Sequence, residues 1–569
     1  MAERSTSRVA AWMPSMTDVA FLMPVLFVFL RLDGAKYLLG DGDTGYHIRA
    51  GEWMLDHGRV LDHDIFSYTK AGQPWFTWEW LWDVSFAWLH RHWGMAAVVV
   101  VSLVMISLTV GLLYRLVRRQ CGNSLLAIGV TFLAAAASSI HWLARPHLFT
   151  LLFVVVFLSL LELAREGRTR VLLWLPLLTV PWTNLHGGFF VGIVLILTYA
   201  AGEAIGWLVE ADGEARRAAL GRMKGYLLAA GGCVAASFVN PYGWRLHAHI
   251  VGYFSDSYAY NNIAEFLSLN FHHPAGRYVE VLIVLGVVGG AWSLYRRRFV
   301  CALLVASWMH LALLAGRNIP IFALVAAPVA AWALGEWLER LNTAQVAGWV
   351  GRATRSFREF AEGISAMDRL GRVPATSVAV VALLVVLLAK GPGQVSRLKA
   401  EYDPKRYPAQ ALAVLRPAEC AGPIFTHDEW GDYLIYRLYP EVKVFVDGRS
   451  DFYGAEFNQK YVDVMNVKYD WEKTLERYGV RTVLLPVEAS LASTLKESAR
   501  WRVVHDDGMA IVFRLAAQQA QWARAGCPGG KQVSAAVGSG VIGDRLIAQP
   551  NHRDREVTKL QLSTRRKLS

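Results

Sequence analysis

Long apolar segments recur along most of the chain and predict a bundle of membrane-spanning helices. A helix needs about 20 apolar residues to cross roughly 30 Å of hydrocarbon, and slightly fewer suffice where the bilayer thins. The segments that qualify are 17–32, 94–114, 124–141, 147–164, 171–183, 188–209, 224–239, 279–295, 299–315, 319–338 and 373–389. We therefore predict an α-helical polytopic membrane protein with about 11 transmembrane helices. The first segment lacks a cleavage signal, so we expect it to be retained as an anchor.

Lys and Arg are unequally distributed between the two sides of this bundle. If the N-terminus is cytoplasmic, the inner connections carry 21 of these residues, whereas the outer connections before residue 390 carry nine. Positive charge accumulates on the cytoplasmic loops of membrane proteins. We therefore expect a cytoplasmic N-terminus and an extracytoplasmic C-terminal part. Because the basic residues are spread over many loops, the net charge of +12 does not predict a nucleic-acid partner.

The polarity pattern changes after the last apolar segment. Residues 390–515 alternate short apolar strands with amphipathic helices, and the stretch around Asp507 and Gly508 is typical of a β-hairpin. The predicted strands are 422–429, 442–448 and 480–487, and the predicted helices are 431–439, 455–466 and 471–479. We predict a membrane domain over 1–389, a small extracytoplasmic α/β domain over 390–515 and a disordered tail over 516–569, which lacks periodicity.

The first outer loop, residues 33–93, is unusually long. It holds an amphipathic stretch and then an aromatic one, "PWFTWEWLWDVSFAWLHRHW", and Trp favours the membrane–water boundary. We expect two helices that lie along the outer surface of the bilayer. The inner connection 339–372 is also expected to be helical. The five cysteines form no CxxC pair, so neither a disulfide framework nor a zinc site is indicated.

Polar residues gather on the predicted outer side. All 16 histidines fall there, counting one in the outer part of a span, and none falls in an inner connection. The polar breaks 141–147, 183–188, 240–249 and 315–320 face the same way. A bundle whose ionisable side chains collect at one end is expected to have its functional site at that end.

Asp41 and Asp43 stand in a Gly-rich stretch just after the first predicted span. Short Asp-Gly runs often form Asx-turns or helix caps, which is one interpretation. The other is catalytic, because an attacking hydroxyl must lose its proton and a carboxylate can take it or hold a divalent ion. His47 follows one helical turn after Asp43, where it either lines the same groove or is solvated. Glu79 lies between two Trp residues, where a charge needs a partner unless it reaches water.

Arg145 and Arg317 each lie at the outer end of a predicted span. Guanidinium groups bind phosphate bidentately, so a phosphate-bearing lipid is one expected ligand, although interfacial arginines also contact ordinary lipid. His147 and His186 occur at span ends as well, where each is either a ligand or a packing histidine. Asn240 stands in an Asn-Pro-Tyr-Gly turn that needs no further explanation.

The stretch "DGDTGYHIRAGEWMLDHGRVLDHDIFSYTKAGQPWFTWEWL" resembles the opening of a set of bacterial membrane proteins in the GT-C glycosyltransferase superfamily. That superfamily includes protein O-mannosyltransferases, the aminoarabinose transferases of lipid A and oligosaccharyltransferases. The pieces "RPHLFT", "NLHGGF", "NPYG", "RNIP" and "DYLIYRLYPEVKVFVDGRSDFY" extend the resemblance to about residues 40–515.

The resemblance implies an inverting sugar transfer from a polyprenyl-phosphate donor at the outer face of the bacterial inner membrane. Asp43 or Asp41 would be the catalytic carboxylate, with Glu79 and His47 beside it. If a divalent cation (Mg²⁺ or Mn²⁺) takes part, the two aspartates would hold it. The candidate substrate-binding residues are Arg145, His147, His186, Asn240 and Arg317.

Two other functions fit the sequence. A non-catalytic scaffold whose outer domain binds glycan or a partner would not need the first-loop carboxylates. A transporter of an anionic substrate would carry mid-span charges and two related halves with broken helices. Mid-span charges are scarce and no halves are visible, so the transporter is the less favoured alternative.

Reporter fusions test the orientation of the chain. A reporter joined after residue 120 should report the cytoplasm, and one joined after residue 395 should report the extracytoplasmic side, because the basic residues orient the spans. The reverse result would contradict both the orientation and the shared outer face.

Overall fold

The apolar segments of the chain form helices. The computed structural model describes residues 11–254, 257–343, 348–371, 373–389, 397–416 and 422–518. From residue 519 onward the predicted tail lies outside the described residues.

The helices follow one another along the membrane domain. Those before residue 94 are α1 (Met16–Leu30), α2 (Ala35–Leu38), α3 (Asp43–His57) and α4 (Trp80–Trp93). The next are α5 (Met95–Cys121), α6 (Ser124–Ser138), α7 (His147–Arg165), α8 (Trp174–Leu185), α9 (Phe190–Val209) and α10 (Gly213–Ala236). They are followed by α11 (Trp244–Phe254), α12 (Ser257–Asn262), α13 (Gly276–Tyr295), α14 (Phe299–Leu314), α15 (Ile319–Thr343), α16 (Gly348–Asp368) and α17 (Ala375–Leu388).

Six of the described helices are long and apolar enough to cross a membrane when adjoining 3₁₀ turns are included: α5, α6, α7, α9, α13 and α15. Helices α1, α14 and α17 are apolar but shorter. The remaining predicted segments correspond to α8, which has 12 residues, and to α10, whose first turns are charged. The chain is thus a multi-pass membrane protein, and the count of 11 spans stays a prediction.

Helices α3 and α4 occupy the two helical positions predicted in the first loop (residues 33–93). They pack closely because α3 presents a glycine to α4: a Cβ on Gly51 would lie 2.0 Å from the carbonyl oxygen of Asp83. Helix α4 buries Trp82 and Phe86, whose stacked rings have centroids 4.1 Å apart. One side of the aromatic stretch is therefore part of the protein core.

The C-terminal part of the chain, which we call the C-terminal domain, contains a small sheet with helices around it. The strands β1 (Ile424–Thr426), β2 (Thr482–Pro486), β3 (Trp501–Asp506) and β4 (Ala510–Leu515) lie in the order β1-β2-β4-β3. Strands β1 and β2 are parallel and the other pairs are antiparallel, so the predicted β3–β4 hairpin is confirmed. The helices are α18 (Leu412–Leu415), α19 (Asp428–Leu438), α20 (Ser450–Tyr453), α21 (Ala455–Met465), α22 (Trp471–Arg477) and α23 (Ser490–Glu497).

The predicted strand 442–448 is wrong, because within it only Val444 forms β-bridges and these are isolated. Val444 forms isolated parallel bridges with Ile424 of β1 on one side and Ser67 of the first loop on the other. Its N–H donates to Phe66 O and its carbonyl accepts from Tyr68 N, both at 3.1 Å. The neighbour on this edge is a loop that passes briefly, so no strand ladder develops.

Arg449 joins the first loop to the C-terminal domain through buried charges. Its guanidinium donates two hydrogen bonds of 2.7 Å to Asp447 and one of 2.6 Å to Asp64 of the first loop. The guanidinium also lies over the Trp75 ring, 4.3 Å from its centroid. All three charged residues are at most 3% exposed. We call this contact the Arg449 clasp.

Arg449→Leu should strongly destabilise the protein. The substitution leaves Asp64 and Asp447 buried without a positive charge, and breaking a buried pair in this way costs about 3–5 kcal/mol. The measurement is the unfolding midpoint in detergent. Lys460→Ala, which removes an exposed pair with Glu456, is the control and should leave the midpoint unchanged. Equal midpoints for both variants would contradict the clasp.

Candidate active site

Asp41 and Asp43 both bind one guanidinium. Asp41 Oδ1 accepts the Asp43 N–H at 2.9 Å, so the Asx-turn is formed at the start of α3. Arg145 then places one terminal nitrogen 2.7 Å from Asp41 Oδ2 and the other 2.6 Å from Asp43 Oδ2. The two interpretations of the acidic stretch are compatible, since one carboxylate shapes the turn and both face Arg145.

The segment 142–146, between α6 and α7, delivers Arg145 to this position. The Ala144 N–H donates to Leu38 O at 2.7 Å, and the Thr44 hydroxyl donates to Ala144 O at 3.1 Å. His147, in the first turn of α7, bonds through Nε2 to His141 O at 2.6 Å and so bridges the ends of the segment. These bonds hold the arginine against the first loop.

A third carboxylate lies between two arginines beside this pair. Glu265 Oε2 is 4.0 Å from Arg145, and Oε1 is 3.8 Å from Arg317. His141 Nε2 is also 4.0 Å from Glu265. Burial opposes ionisation of Glu265, but Arg317 and Arg145 outweigh it and lower its pKa to about 2. We call Asp41, Asp43, Arg145, Glu265 and Arg317 the arginine cluster.

Gly448 brings the C-terminal domain against the arginine cluster. A Cβ on Gly448 would lie 2.3 Å from Asp43 Oδ1 and 2.7 Å from Asp432 Oδ2, so those oxygens are within about 5 Å of each other. Asp432, on α19, also accepts the Gly448 N–H at 3.0 Å. Burial and the charge of Asp43 raise the pKa of Asp432, and burial raises that of Asp43 although Arg145 opposes the shift. The pair favours a shared proton over two charges.

The predicted cation at Asp41 and Asp43 stays a prediction, and in this arrangement Arg145 binds both aspartates. Mg²⁺ and similar cations need several oxygen ligands. Within the described ranges, no group of three or more His, Cys, Asp or Glu side chains is arranged to hold an ion. Arg145 binds the facing oxygens of both aspartates, so its positive charge lies where a cation between the two carboxylates would lie.

Glu79 and His47 belong to a second set of contacts, which runs from α4 to the turn between α8 and α9. Asp83 Oδ1 lies 2.7 Å from His47 Nδ1, and Glu79 Oε2 lies 3.4 Å from His47 Nε2. Glu79 Oε1 lies 3.4 Å from His186 Nε2. His186 Nδ1 accepts the Gly188 N–H at 3.0 Å and contacts the Thr150 hydroxyl at 2.8 Å. We call Asp83, His47, Glu79 and His186 the buried chain.

Burial dominates the acid–base behaviour of this chain. It raises the pKa of Glu79 to about 7, with Asp83 reinforcing the shift and His47 opposing it. It also raises the pKa of Asp83 well above its usual range. Burial lowers the pKa of His47 to about 4 and that of His186 to about 3. Both histidines are therefore neutral at pH 7, where Glu79 is partly protonated.

Asn240 is engaged within its own turn. Its side-chain nitrogen donates to Ser237 O at 2.8 Å and to Gly243 O at 3.3 Å, while its side-chain oxygen accepts the Tyr242 N–H at 2.8 Å. These contacts account for its amide, and its predicted role in substrate binding stays a prediction.

Three residues of the site were not singled out in the sequence. Asp83 follows Glu79 by four residues, so the shared helix face was a usable signal. Glu265 and Asp432 stand in no motif, and they reach the first loop only through the tertiary fold.

Comparison with known proteins gives the class of this fold. The apo crystal structure of the Archaeoglobus fulgidus oligosaccharyltransferase has a TM-score of 0.53 at 12% identity, over 83% of this chain and 69% of that chain. Archaeal AglB from the same organism, in complex with an inhibitory peptide and a dolichol-phosphate, has a TM-score of 0.52 at 14% identity, over 88% and 74%. The form tethered with an acceptor peptide containing the NVT sequon has a TM-score of 0.54 at 14% identity, over 83% and 69%.

No protein-family model matches the sequence, and no curated protein matches it. At 12–14% identity the neighbours share the fold. The chain therefore has the fold of these oligosaccharyltransferases, which agrees with the resemblance seen in the first loop.

Divalent ions should not stabilise the protein while Arg145 is in place. A bound ion at 100 times its Kd would stabilise the folded state by about 2.7 kcal/mol, so thermal unfolding with Mg²⁺, Mn²⁺ or EDTA is a direct test. We expect equal midpoints for the wild type. In Arg145→Ala, the exposed aspartate pair should gain Mg²⁺-dependent stabilisation. A midpoint of the wild type that falls in EDTA would contradict this account.

Proposed function

We propose that the protein is an integral-membrane glycosyltransferase that takes a sugar from a polyprenyl-phosphate donor. The transfer would occur at the outer face of the bacterial inner membrane, to an acceptor whose identity is open. The observation that carries the proposal is the arginine cluster, in which two guanidinium groups flank a carboxylate beside an aspartate pair. The GT-C fold supports the proposal at the level of the class.

The two arginines suit the phosphate of a lipid-linked donor. Arg145 and Arg317 approach Glu265 at 4.0 and 3.8 Å, which is longer than a charge-assisted hydrogen bond of about 2.7–2.9 Å. A phosphate can replace this loosely held carboxylate, bind Arg317 bidentately and accept a hydrogen bond from an N–H of Arg145 that the aspartates do not use. The arginines would then stabilise the charge that develops on the leaving phosphate.

The aspartate pair suits the acceptor side of the reaction. Asp41 and Asp43 keep Arg145 in position, and Asp43 Oδ1 is directed at the C-terminal domain near Asp432. A carboxylate there can orient the attacking hydroxyl or amide of the acceptor. The acceptor must also lose a proton, which a carboxylate of this site would take. Asp43, Asp41 and Glu79 are the candidates for that proton.

Asp43→Asn should abolish transfer without preventing folding or insertion. An asparagine cannot balance Arg145 or take a proton. The assay measures the release of polyprenyl phosphate and the transfer of a labelled sugar in membranes that contain the purified protein. Arg317→Gln should instead weaken binding of polyprenyl phosphate about tenfold or more, because a charge-assisted bond is lost.

The outer-domain variant Lys460→Ala is the matched control and should behave as the wild type. Full transfer by a variant carrying both Asp41→Asn and Asp43→Asn would remove the catalytic roles proposed for the two aspartates. Absence of transfer by the wild type from any polyprenyl-phosphate donor would favour the scaffold alternative, which does not need these carboxylates.

A further inference from the structure

Hydrogen bonds indicate where the buried chain holds its protons when one of its two carboxyl groups is ionised. His186 Nδ1 accepts a backbone N–H from Gly188, so neutral His186 carries its proton on Nε2, which faces Glu79 Oε1. His47 then contacts Asp83 through one ring nitrogen and Glu79 through the other. Each of these contacts needs one proton, so three groups share two protons.

The two protons have two arrangements. In the first, His47 donates through Nδ1 to ionised Asp83, and Glu79 carries the second proton. In the second, Asp83 carries a proton, His47 donates through Nε2 and Glu79 is ionised. The two arrangements differ by a shift of both protons between Asp83, His47 and Glu79. The negative charge moves between Asp83 and Glu79, and no proton is lost to solvent.

The surroundings favour the ionised form at the Glu79 end. His186 Nε2–H faces the Glu79 carboxylate, and the charge of Arg145 stabilises it. Asp83 is fully buried, and its Oδ2 has no hydrogen-bond partner within the part of the chain that the structure describes. A buried carboxylate oxygen without a partner costs about 1–3 kcal/mol or more when charged. Asp83 is therefore suited to stay protonated while Glu79 is ionised.

We propose that Glu79 takes the proton from the acceptor, and that Asp83 acts on Glu79 through His47 as a positioning residue. This inference rests on the proposed function. The O–H or N–H bond of the acceptor breaks, and its proton moves to Glu79. The electron pair of the acceptor forms the bond to the anomeric carbon, and the bond from that carbon to the phosphate oxygen breaks with its electrons leaving on polyprenyl phosphate.

Contacts within the site favour Glu79 over the aspartates. Asp41 uses one oxygen for the Asp43 N–H and the other for Arg145, and Asp43 Oδ2 is also bound by Arg145. Glu79 contacts His47, which lies one turn after Asp43 on α3, so Glu79 is next to the face that carries the aspartate. Its 3.4 Å contacts are long, and such bonds often tighten when substrate binds.

Five charged or titratable groups act on Glu79 from the surrounding elements: His47, Asp83, Arg145, His186 and Asp451. With burial, they bring the pKa of Glu79 to about 7. Glu79 is mostly protonated below this value and mostly ionised above it. The proton-accepting form therefore increases as the pH rises through neutrality.

The first measurement needs no substrate. Infrared difference spectra of the wild type in nanodiscs should show a carboxylic-acid C=O band that disappears as the pH rises through about 7. The band that titrates near pH 7 should be absent in Glu79→Gln. In Asp83→Asn its midpoint should change by about one unit or more, because the proton that Asp83 holds towards His47 Nδ1 is lost and no longer directs the His47 Nε2–H at Glu79. Glu52→Gln is the matched control. Glu52 lies on α3 and bonds to Arg49 and His90, so it is not part of the buried chain.

The second measurement is the pH profile of the transfer assay. The rate of the wild type should rise with pH through the same midpoint, and Glu79→Gln should lower kcat by about 10²–10⁴ with a flat profile. Asp83→Asn should shift the profile in the same direction as the infrared midpoint, while Glu52→Gln should match the wild type. If Asp83 had only a structural role, Asp83→Asn would lower the stability of the protein without moving either midpoint.

A titrating band that persists in Glu79→Gln, or unchanged midpoints in Asp83→Asn, would overturn the inference. So would an unaltered pH profile in an active Glu79→Gln variant. If the wild type transfers no sugar from any lipid-linked donor, the proposed function fails, and the role of Glu79 in transfer fails with it. The infrared titration would still decide separately whether the residues of the buried chain share their protons as described.

Discussion

A carboxylate can be buried only when a positive charge or a proton accompanies it, and the first loop meets this constraint in three ways. The Arg449 clasp is closed by hydrogen bonds of 2.6–2.7 Å and serves as a structural joint. The arginine cluster is tight on its aspartate side but loose towards Glu265, which lies 3.8–4.0 Å from the two arginines. The buried chain uses protons instead, which makes it responsive near neutral pH.

The bundle and the outline of the site were predictable because they depend on local pattern. Apolar segments of sufficient length form helices wherever they occur, and the hairpin before Leu515 follows from its turn residues and alternation. Asp43 and Arg145 were identifiable because each stands in a polar break at the end of an apolar segment, and the fold brings them to 2.6 Å. The residues that meet at the aspartates thus had a common sequence signal.

The rest depended on contacts between distant parts of the chain. Asp432 reaches Asp43 only because Gly448 has no side chain at the point where the C-terminal domain meets α3. The 442–448 segment has the composition of a strand, but the edge beside it belongs to the first loop, and Val444 alone finds partners there. The pattern of apolar and polar residues within each segment does not show which distant segment will lie beside it. These contacts could therefore not be predicted from local pattern.

The Arg449 clasp has a consequence for how this architecture can change. It ties the first loop to the C-terminal domain through side chains 385 positions apart, independently of the covalent connection after α17. The placement of the first loop against the C-terminal domain therefore does not depend on that connection alone, and extra length in a connection adds little entropic penalty. Insertions between α17 and the sheet should therefore accumulate freely among descendants of this chain, while the buried arginine and its two acidic neighbours change only together.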